Sequence, residues 1–391
     1  MSTLLQNFCV NYTFPVIFTS DVFSLENEIL VDVIKSSGMS HNRALIFIDS
    51  EVLKRTDGLL EKISRYAERH SALLEFAAEP NAVPGGELCK NEHCEIERIQ
   101  TMVEKYKICR HSFIIAIGGG AVLDAVGYAA STSHRGVRLI RIPTTVLAQN
   151  DAGVGLKNGV NFCGRKNFLG TFAPPFAVIN DSCFLETLSS RDMRAGMAEA
   201  VKVALIRDRG FFEVLYESRF DLASFNQATV KDMIFRCAEL HLLHISTGGD
   251  PFENGRSRPL DYGHWSAHKL EELSNCDLRH GEAVAIGIAI DSIYSNRCGF
   301  LGEPDLNKIL NILDSLGFNL FHPAVLLLDV ERALDDFREH LGGELCIPLL
   351  AGIGVKIEVN DIDLNLMKQC VTLLAERVVN KEPLPVLPLC A

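Results

Sequence analysis

Three histidines and a glutamate carry the first chemical inference. In Asp261-Tyr-Gly-His264-Trp-Ser-Ala-His268, His264 and His268 stand four residues apart, so on a helix they share one face. His280-Gly-Glu282 follows, and Gly196-Met-Ala-Glu199-Ala-Val-Lys202 lies far upstream. Either of the first two imidazoles can join His280 and a carboxylate from another helix in an N/N/O set. Three protein ligands leave a coordination position for substrate, the arrangement of a catalytic divalent ion, and point to hydrolysis, alcohol oxidation or elimination. Any one of these histidines alone would read as a satisfied core or surface residue; the constellation makes the case.

Glycine turns supply a second kind of chemistry. Gly118-Gly-Gly120 follows the apolar run Phe113-Ile-Ile-Ala-Ile and opens a helical pattern through Asp124, so its amides can approach a pyrophosphate at the positive end of a helix. The run is not G-x-G-x-x-G, and a sterically required turn would read the same. Pro143-Thr-Thr145 ends the next strand and offers hydroxyls to such a ligand. Asp151 to Asn167 gathers Lys157, Lys166 and Asn167 in what reads as a glycine-rich loop suited to an anionic polyol, the alternative being a solvated turn. Trp265, the only tryptophan, reads as a packing residue beside the histidines.

These side chains need a frame, and 391 residues suffice for two domains, since single cores stop growing at about 250 to 300 residues. Up to residue 183, strand patterns such as Ala44–Asp49 and Phe113–Gly118 alternate with helical ones such as Cys94–Tyr106. That alternation predicts an α/β, Rossmann-like parallel-sheet domain over 1–183. From 184 to 391 the pattern turns mainly α-helical, with helices over 192–208, 226–246, 264–274, 280–297 and 304–316 and few strand candidates. Pro383-Leu-Pro-Val-Leu-Pro388 reads as a terminal extension.

Composition limits the partners. A net charge of -12 argues against a nucleic-acid or anionic-membrane surface, so any phosphate must be held by a local basic pocket. The N-terminus shows no basic leader or long apolar run, which predicts a cytoplasmic protein. Twelve cysteines are scattered without a C-x-x-C pair, and most are expected to be buried thiols.

Taken together, the segments resemble the sugar phosphate cyclase superfamily of the 3-dehydroquinate synthase type. The likeness runs through Pro84-Gly-Gly-Glu87-Leu-Cys-Lys90, Gly118-Gly-Gly-Ala-Val-Leu-Asp124, Arg135-Gly136, Pro143-Thr-Thr145, Gly164-Arg-Lys166-Asn167, Gly196-Met-Ala-Glu199-Ala-Val-Lys202, Gly263-His264 and His280-Gly-Glu-Ala-Val-Ala285. It implies a dehydroquinate synthase-like fold, NAD between the two domains, a zinc or cobalt ion, and a homodimer. By the same resemblance Glu199, His264 and His280 hold the metal, with His268 beside it. Asp49, Glu87, Lys90, Gly119, Gly120, Asp124, Thr144, Thr145 and Thr187 contact NAD. Asp151, Lys157, Lys166, Asn167, Lys202 and His268 are substrate-binding or catalytic positions, and Arg135 reaches the phosphate in the neighbouring subunit's site.

Departures from the family pattern bear on the substrate. Where dehydroquinate synthases place an asparagine three residues before the Gly-His histidine, this chain has Asp261; their upstream lysine and arginine fall by equal spacing on Leu243 and Ser257, with Arg256 and Arg258 nearby. A carboxylate there would repel a carboxylated substrate. Phe337-Arg-Glu-His340 lacks the paired lysines of dehydroquinate synthases and resembles sedoheptulose 7-phosphate cyclases such as 2-epi-5-epi-valiolone synthases. Gly-His-Trp-Ser-Ala-His268 itself resembles dehydroquinate-synthase-like proteins of ebo-type gene clusters. The implied activity is phosphate-eliminating cyclisation of a seven-carbon sugar phosphate by transient oxidation, elimination, reduction and intramolecular aldol closure. Alternatives are 3-dehydroquinate synthase, an NAD- and metal-dependent polyol dehydrogenase, and a catalytically silent metabolite-binding paralogue.

Overall fold

The computed structural model describes residues 2–380 apart from 92, 164, 256, 257 and 276, so Arg256, Gly164 and the Pro-rich tail lie outside the described residues. The chain divides into two compact units, Met1–Thr144 with Leu156–Cys183, and Thr145–Gly155 with Phe184–Ala391. No described helix is long and apolar enough to cross a membrane.

The first unit is built on a parallel sheet. Its strands are β1 (Val16–Thr19), β2 (Asn42–Asp49), β3 (Leu74–Phe76), β4 (Asn81–Val83), β5 (Phe113–Gly118) and β6 (Arg138–Pro143); β7 (Lys157–Phe162) and β8 (Arg165–Phe172) form a separate hairpin, and β9 (Ala177–Asp181) rejoins the sheet. The order is β1-β9-β6-β5-β2-β3, with β4 also on β2. β5 is buried along its whole length and β2 nearly so, which is why both read as continuous β-branched and aromatic runs rather than alternating ones. The expected glycine-rich loop is thus a correction. Residues 148–152 form a π-helical turn and 157–172 an antiparallel hairpin, because Gly159 and Gly170 let the two backbones close where a methyl on Gly170 would lie 2.9 Å from the Asn158 carbonyl oxygen.

The second unit is mainly helical, as the apolar periodicity predicts. Helices span Gln227–Thr247, His264–Leu273, His280–Arg297 and Glu303–Ser315. The 192–208 pattern, however, is two helices, Ser190–Ala195 and Met197–Arg207. Gly196 marks the break: a Cβ there would fall 2.4 Å from the Leu147 amide nitrogen. A further hairpin, β10 (Ile347–Gly352) and β11 (Val355–Val359), adds strands that the helical periodicity did not reveal.

The His280–Arg297 helix is buried on every side from Ala283 to Arg297, consistent with its all-round apolar sequence. Two glycines let neighbouring backbones approach it. A Cβ on Gly281 would meet the Ala195 carbonyl oxygen at 1.8 Å, and one on Gly287 the Gly263 oxygen at 2.0 Å. These contacts set the start of this helix against the segments leading to Glu199 and His264.

Of the described cysteines, Cys89, Cys237, Cys346 and Cys370 are buried, whereas Cys9, Cys94, Cys109 and Cys163 are exposed, so the expectation of mostly buried thiols is not met. Cys94 lies on a helix, Cys163 at the tip of the β7–β8 hairpin, and Cys9 and Cys109 in irregular segments.

Candidate functional site

Glu199, His264 and His280 bring one potential ligand atom each within 4.8 Å of one another. Glu199 is fully buried on the Met197–Arg207 helix. His264 is the first residue of its helix, entered through Gly263 at φ +78°, a left-handed conformation suited to glycine. His280 likewise opens its helix. The Nε2 atoms of His264 and His280 stand 3.8 and 3.4 Å from the same oxygen, Oε1 of Glu199. Ligands about 2.1 Å from a tetrahedral ion stand about 3.4 Å apart, so the spacing suits an intervening divalent cation.

The surroundings prepare those nitrogens. Nδ1 of His264 lies 3.1 Å from the Tyr262 carbonyl oxygen and Nδ1 of His280 3.1 Å from Oε2 of Glu271. With an ion between these groups, donation from Nδ1 would turn each Nε2 lone pair toward it, the orienting pattern of metal-bound histidines. Neither Glu199 oxygen has a well-directed hydrogen bond, although Lys202 Nζ contacts Oε2. A buried carboxylate left in this way fits a metal ligand. Burial would raise its pKa most, but Lys202, His280 and His264 together outweigh it and hold it down at about 2. Burial would lower His280, yet Glu271 and Glu199 outweigh it and push it up to about 10, a measure of how strongly this site attracts positive charge.

His268 is exposed, its ring centroid 5.4 Å from that of His264 and 6.0 Å from that of His280. It also forms a close ligand group with Glu271 and His280, but Glu271 faces Nδ1 of His280, the nitrogen turned away from Glu199. The geometry therefore favours Glu271 as an orienting carboxylate and His268 as a neighbour of any ion that Glu199, His264 and His280 would hold. His340 stacks edge-on to His268 at 6.5 Å. Asp151, Lys202 and Asp261 complete the polar surroundings: Lys202 feels Glu199, Asp151 and Asp261, and its pKa is raised despite burial.

Four residues here escaped the sequence reading. Glu271, the Tyr262 carbonyl, His241 and Asp291 each support a predicted residue. Leu243, the equal-spacing position, is exposed, whereas His241 on the same helix turns Nδ1 to within 2.8 Å of Asp151 Oδ1. Asp291 is fully buried and accepts from Trp265 Nε1 at 2.8 Å and from the Gly263 amide at 2.9 Å, so it braces the turn into His264. The Trp265 hydrogen bond has a hydropathic disguise, since an indole beside histidines reads only as packing.

Burial pushes the Asp291 carboxyl up to about 7, against those two donors, from an ordinary 3.8. The folded state then binds the proton more tightly than the unfolded one. Its contribution to stability is full below the unfolded pKa and is lost as pH rises from about 4 to about 7, by at most about 1.4 kcal/mol per pH unit. Urea midpoints of the wild type and Asp291→Asn, compared at about pH 4 and about pH 8, should shift in the variant's favour at the higher pH. A pH-independent difference would contradict this.

In the first unit, other predicted residues gather at the carboxyl ends of β2, β5 and β6, where open parallel sheets bind ligands. Asp49 ends β2 and accepts from the Glu51 amide at 2.8 Å, and burial raises its pKa. A Cβ on Gly85 would strike its Oδ1 at 2.6 Å, so this glycine permits the approach. Gly119 caps the Gly120–Thr132 helix without any side-chain hydrogen bond, leaving its first amides for an anion. The Thr144 amide donates to the Gly118 carbonyl at 3.0 Å, and its buried hydroxyl has no partner. Lys90 is buried and bonds Asp124 at 2.7 Å. An orphaned hydroxyl, an uncapped helix start and a buried carboxylate fit a dinucleotide.

Glu87 joins the hairpin instead: Asn161 Nδ2 donates to it at 3.2 Å and Lys166 Nζ lies 3.6 Å away. Asn167, at φ +51°, donates its amide to Asn161. Lys157 is exposed at the hairpin's start, while Arg135 is exposed on a turn in the left-handed region at φ +61°. In the second unit, Thr145 caps the turn at Ala148 and Thr187 donates to the Phe184 carbonyl.

Arg258 is ion-paired to Glu253, and both line a cavity of about 240 Å³ together with His244, Asp250 and Asp261. Among the described residues, three carboxylates thus face one guanidinium and one imidazole.

Known proteins share this organisation. The 3-dehydroquinate synthase N-terminal family matches residues 81–195 and the 3-dehydroquinate synthase C-terminal family residues 196–339. A 2-epi-5-epi-valiolone synthase of Actinoplanes sp. is 32% identical, over 90% of this chain and 87% of that protein. A 3-dehydroquinate synthase of Sulfurovum sp. is 35% identical, over 76% of this chain and 83% of that protein. The structure of a 2-epi-5-epi-valiolone synthase from Streptomyces hygroscopicus subsp. jinggangensis, with NAD+ and Zn2+ bound, superposes with a TM-score of 0.85 at 29% identity, covering 96% of this chain and all of that one. With both halves of one family matched in order, and close relatives along most of its length, the chain belongs to the 3-dehydroquinate synthase family of the sugar phosphate cyclase superfamily.

Proposed function

We propose that the protein is a phosphate-eliminating cyclase, a carbon-oxygen lyase that converts sedoheptulose 7-phosphate to a cyclitol ketone. The proposal includes an NAD-binding domain over 1–183, a metal- and substrate-binding domain over 184–391, a homodimer and a cytoplasmic location. Glu199, His264 and His280 would hold zinc or cobalt, and Asp49, Glu87, Lys90, Gly119, Gly120, Asp124, Thr144, Thr145 and Thr187 would hold NAD. When bound, the ion supplies Lewis acidity toward a hydroxyl or carbonyl and NAD supplies reversible hydride acceptance.

The chain's own residues do the rest. Lys157, Lys166, Asn167 and Arg135 carry the donors and charge to bind a phosphate and stabilise its departure. Lys202 neutralises negative charge beside the ion, and His268, exposed next to it, exchanges a proton with substrate. Asp151 accepts from a substrate hydroxyl.

One observation favours a neutral sugar end over a carboxylated one: Asp261 stands beside the histidines and Arg258 is already engaged by Glu253. Relatives of both kinds, 32% and 35% identical, leave the choice to these charges.

Product analysis with Zn2+ or Co2+, sub-stoichiometric NAD and each candidate sugar phosphate tests this reading. Cyclase action should yield free phosphate and many product molecules per NAD with no net rise in NADH absorbance. Stoichiometric NADH would identify a polyol dehydrogenase instead, and no turnover of any sugar phosphate would favour a silent paralogue.

A further inference from the structure

His241 has no task in the chemistry described so far. It sits toward the end of the Gln227–Thr247 helix with its side chain 11% exposed and Nδ1 2.8 Å from Oδ1 of Asp151, close in distance though off the line of a straight hydrogen bond. Asp151 belongs to the π-helical turn Ala148–Ala152, a conformation uncommon in proteins and concentrated at functional sites. That turn is fixed to the metal-bearing helix: Asn150 Nδ2 donates to the Gly196 carbonyl at 2.9 Å, one residue before the helix begins. Lys202 and Glu199 follow on that helix in mutual contact.

His241 therefore touches Asp151 at one end of this turn, and Lys202 touches Glu199 on the helix to which the turn is fixed. Burial would favour a neutral Asp151, but His241 and Lys202 together hold it ionised, with its pKa well below the usual carboxylate range. Lys202 is drawn by both Asp151 and Glu199.

We propose that His241 is a positioning residue for the cyclase substrate: it fixes the Asp151 side chain, 2.8 Å away, to accept from a substrate hydroxyl. This rests on the proposed role of Asp151 in the cyclase reaction. A neutral polyol segment is the chemistry such a carboxylate serves, since a hydroxyl donates to it and an anionic group is repelled.

The test is a double-mutant cycle on the Zn2+-loaded, NAD-supplied full chain, with whichever sugar phosphate the wild type turns over. His241→Ala should lower kcat/KM about tenfold or more, the scale of one charge-assisted contact, while Zn2+ and NAD affinities hold. In an Asp151→Asn background the same change should cost less than about twofold, and His241→Asn, which keeps a donor near the Nδ1 position, should recover part of the loss. Equal losses in both backgrounds, or no recovery in His241→Asn, would overturn the proposal. Nitrogen-15 histidine NMR of the Zn2+-loaded full chain needs no turnover. A protonated Nδ1 on His241 that responds to Asp151→Asn supports the pairing, and an unprotonated Nδ1 refutes it. If no sugar phosphate reacts, the functional reading fails while the NMR result still decides the pairing.

Discussion

Replacing His264 with alanine should lower the affinity for Zn2+ or Co2+ by more than about 100-fold, beyond the 10–100-fold typical of losing an outer partner. The expectation rests on two imidazole nitrogens facing one oxygen of a fully buried glutamate at 3.8 and 3.4 Å. Glu271→Gln, which keeps the shape but removes the charge orienting His280, should fall inside the 10–100-fold range. His268→Ala should leave the ion in place, because His268 lies outside the three-residue set that includes Glu199. Chelator-competition titration of the three variants ranks them directly. Full metal retention in His264→Ala, or loss in His268→Ala equal to it, would transfer the ligand role to His268. Glu199→Gln is a poorer probe, since it strands the buried Lys202 ammonium and would destabilise the fold by about 3 to 5 kcal/mol.

The contrast between His264 and His268 also shows what the chain's sequence can and cannot convey. Spacing of four residues places both on one helical face, yet it says nothing about which of them stands at the helix start next to Glu199. That depends on Gly263, Gly281 and Gly287, whose missing side chains let backbone atoms of neighbouring segments lie only 1.8 to 2.7 Å from where a Cβ would stand. Glycines in an apolar helix look like lowered propensity; only the packing shows that they set the approach of the ligand-bearing segments.

Buried strands and amphipathic helices were legible because periodicity reports burial directly, as in Phe113–Gly118 and Gln227–Thr247. The 157–172 hairpin was not, since β8 is exposed along most of its length and lacks the apolar alternation of a half-buried strand. Supporting residues were least visible. Glu271 sits beside a second acid, Glu272, and Asp291 in an apolar helix, and their contacts with His280 and Trp265 come only from tertiary packing. His241 lies two positions from where spacing alone pointed, and only the fold shows it against Asp151.

The substrate should be decided by charge at the end of the site bearing Asp261. Sedoheptulose 7-phosphate should be preferred over 3-deoxy-arabino-heptulosonate 7-phosphate by roughly tenfold or more in kcat/KM, because one missing charge-assisted contact is worth about 1.5 to 3 kcal/mol and a facing carboxylate adds repulsion. Arg258 would be the natural clamp for a carboxylate, but Glu253 engages it, and Asp250 and Asp261 line the same cavity. The double variant Asp261→Asn with Glu253→Gln removes two negative charges and releases Arg258. It should therefore move the kcat/KM ratio toward the carboxylated heptulosonate by about tenfold or more, largely through KM, as expected for a contact made equally in ground and transition states. Steady-state kinetics of both enzymes on both substrates measures the ratio. A wild type that turns over the carboxylated sugar faster would return the protein to 3-dehydroquinate synthase chemistry, and a double variant with an unchanged ratio would mean that these charges do not face the substrate.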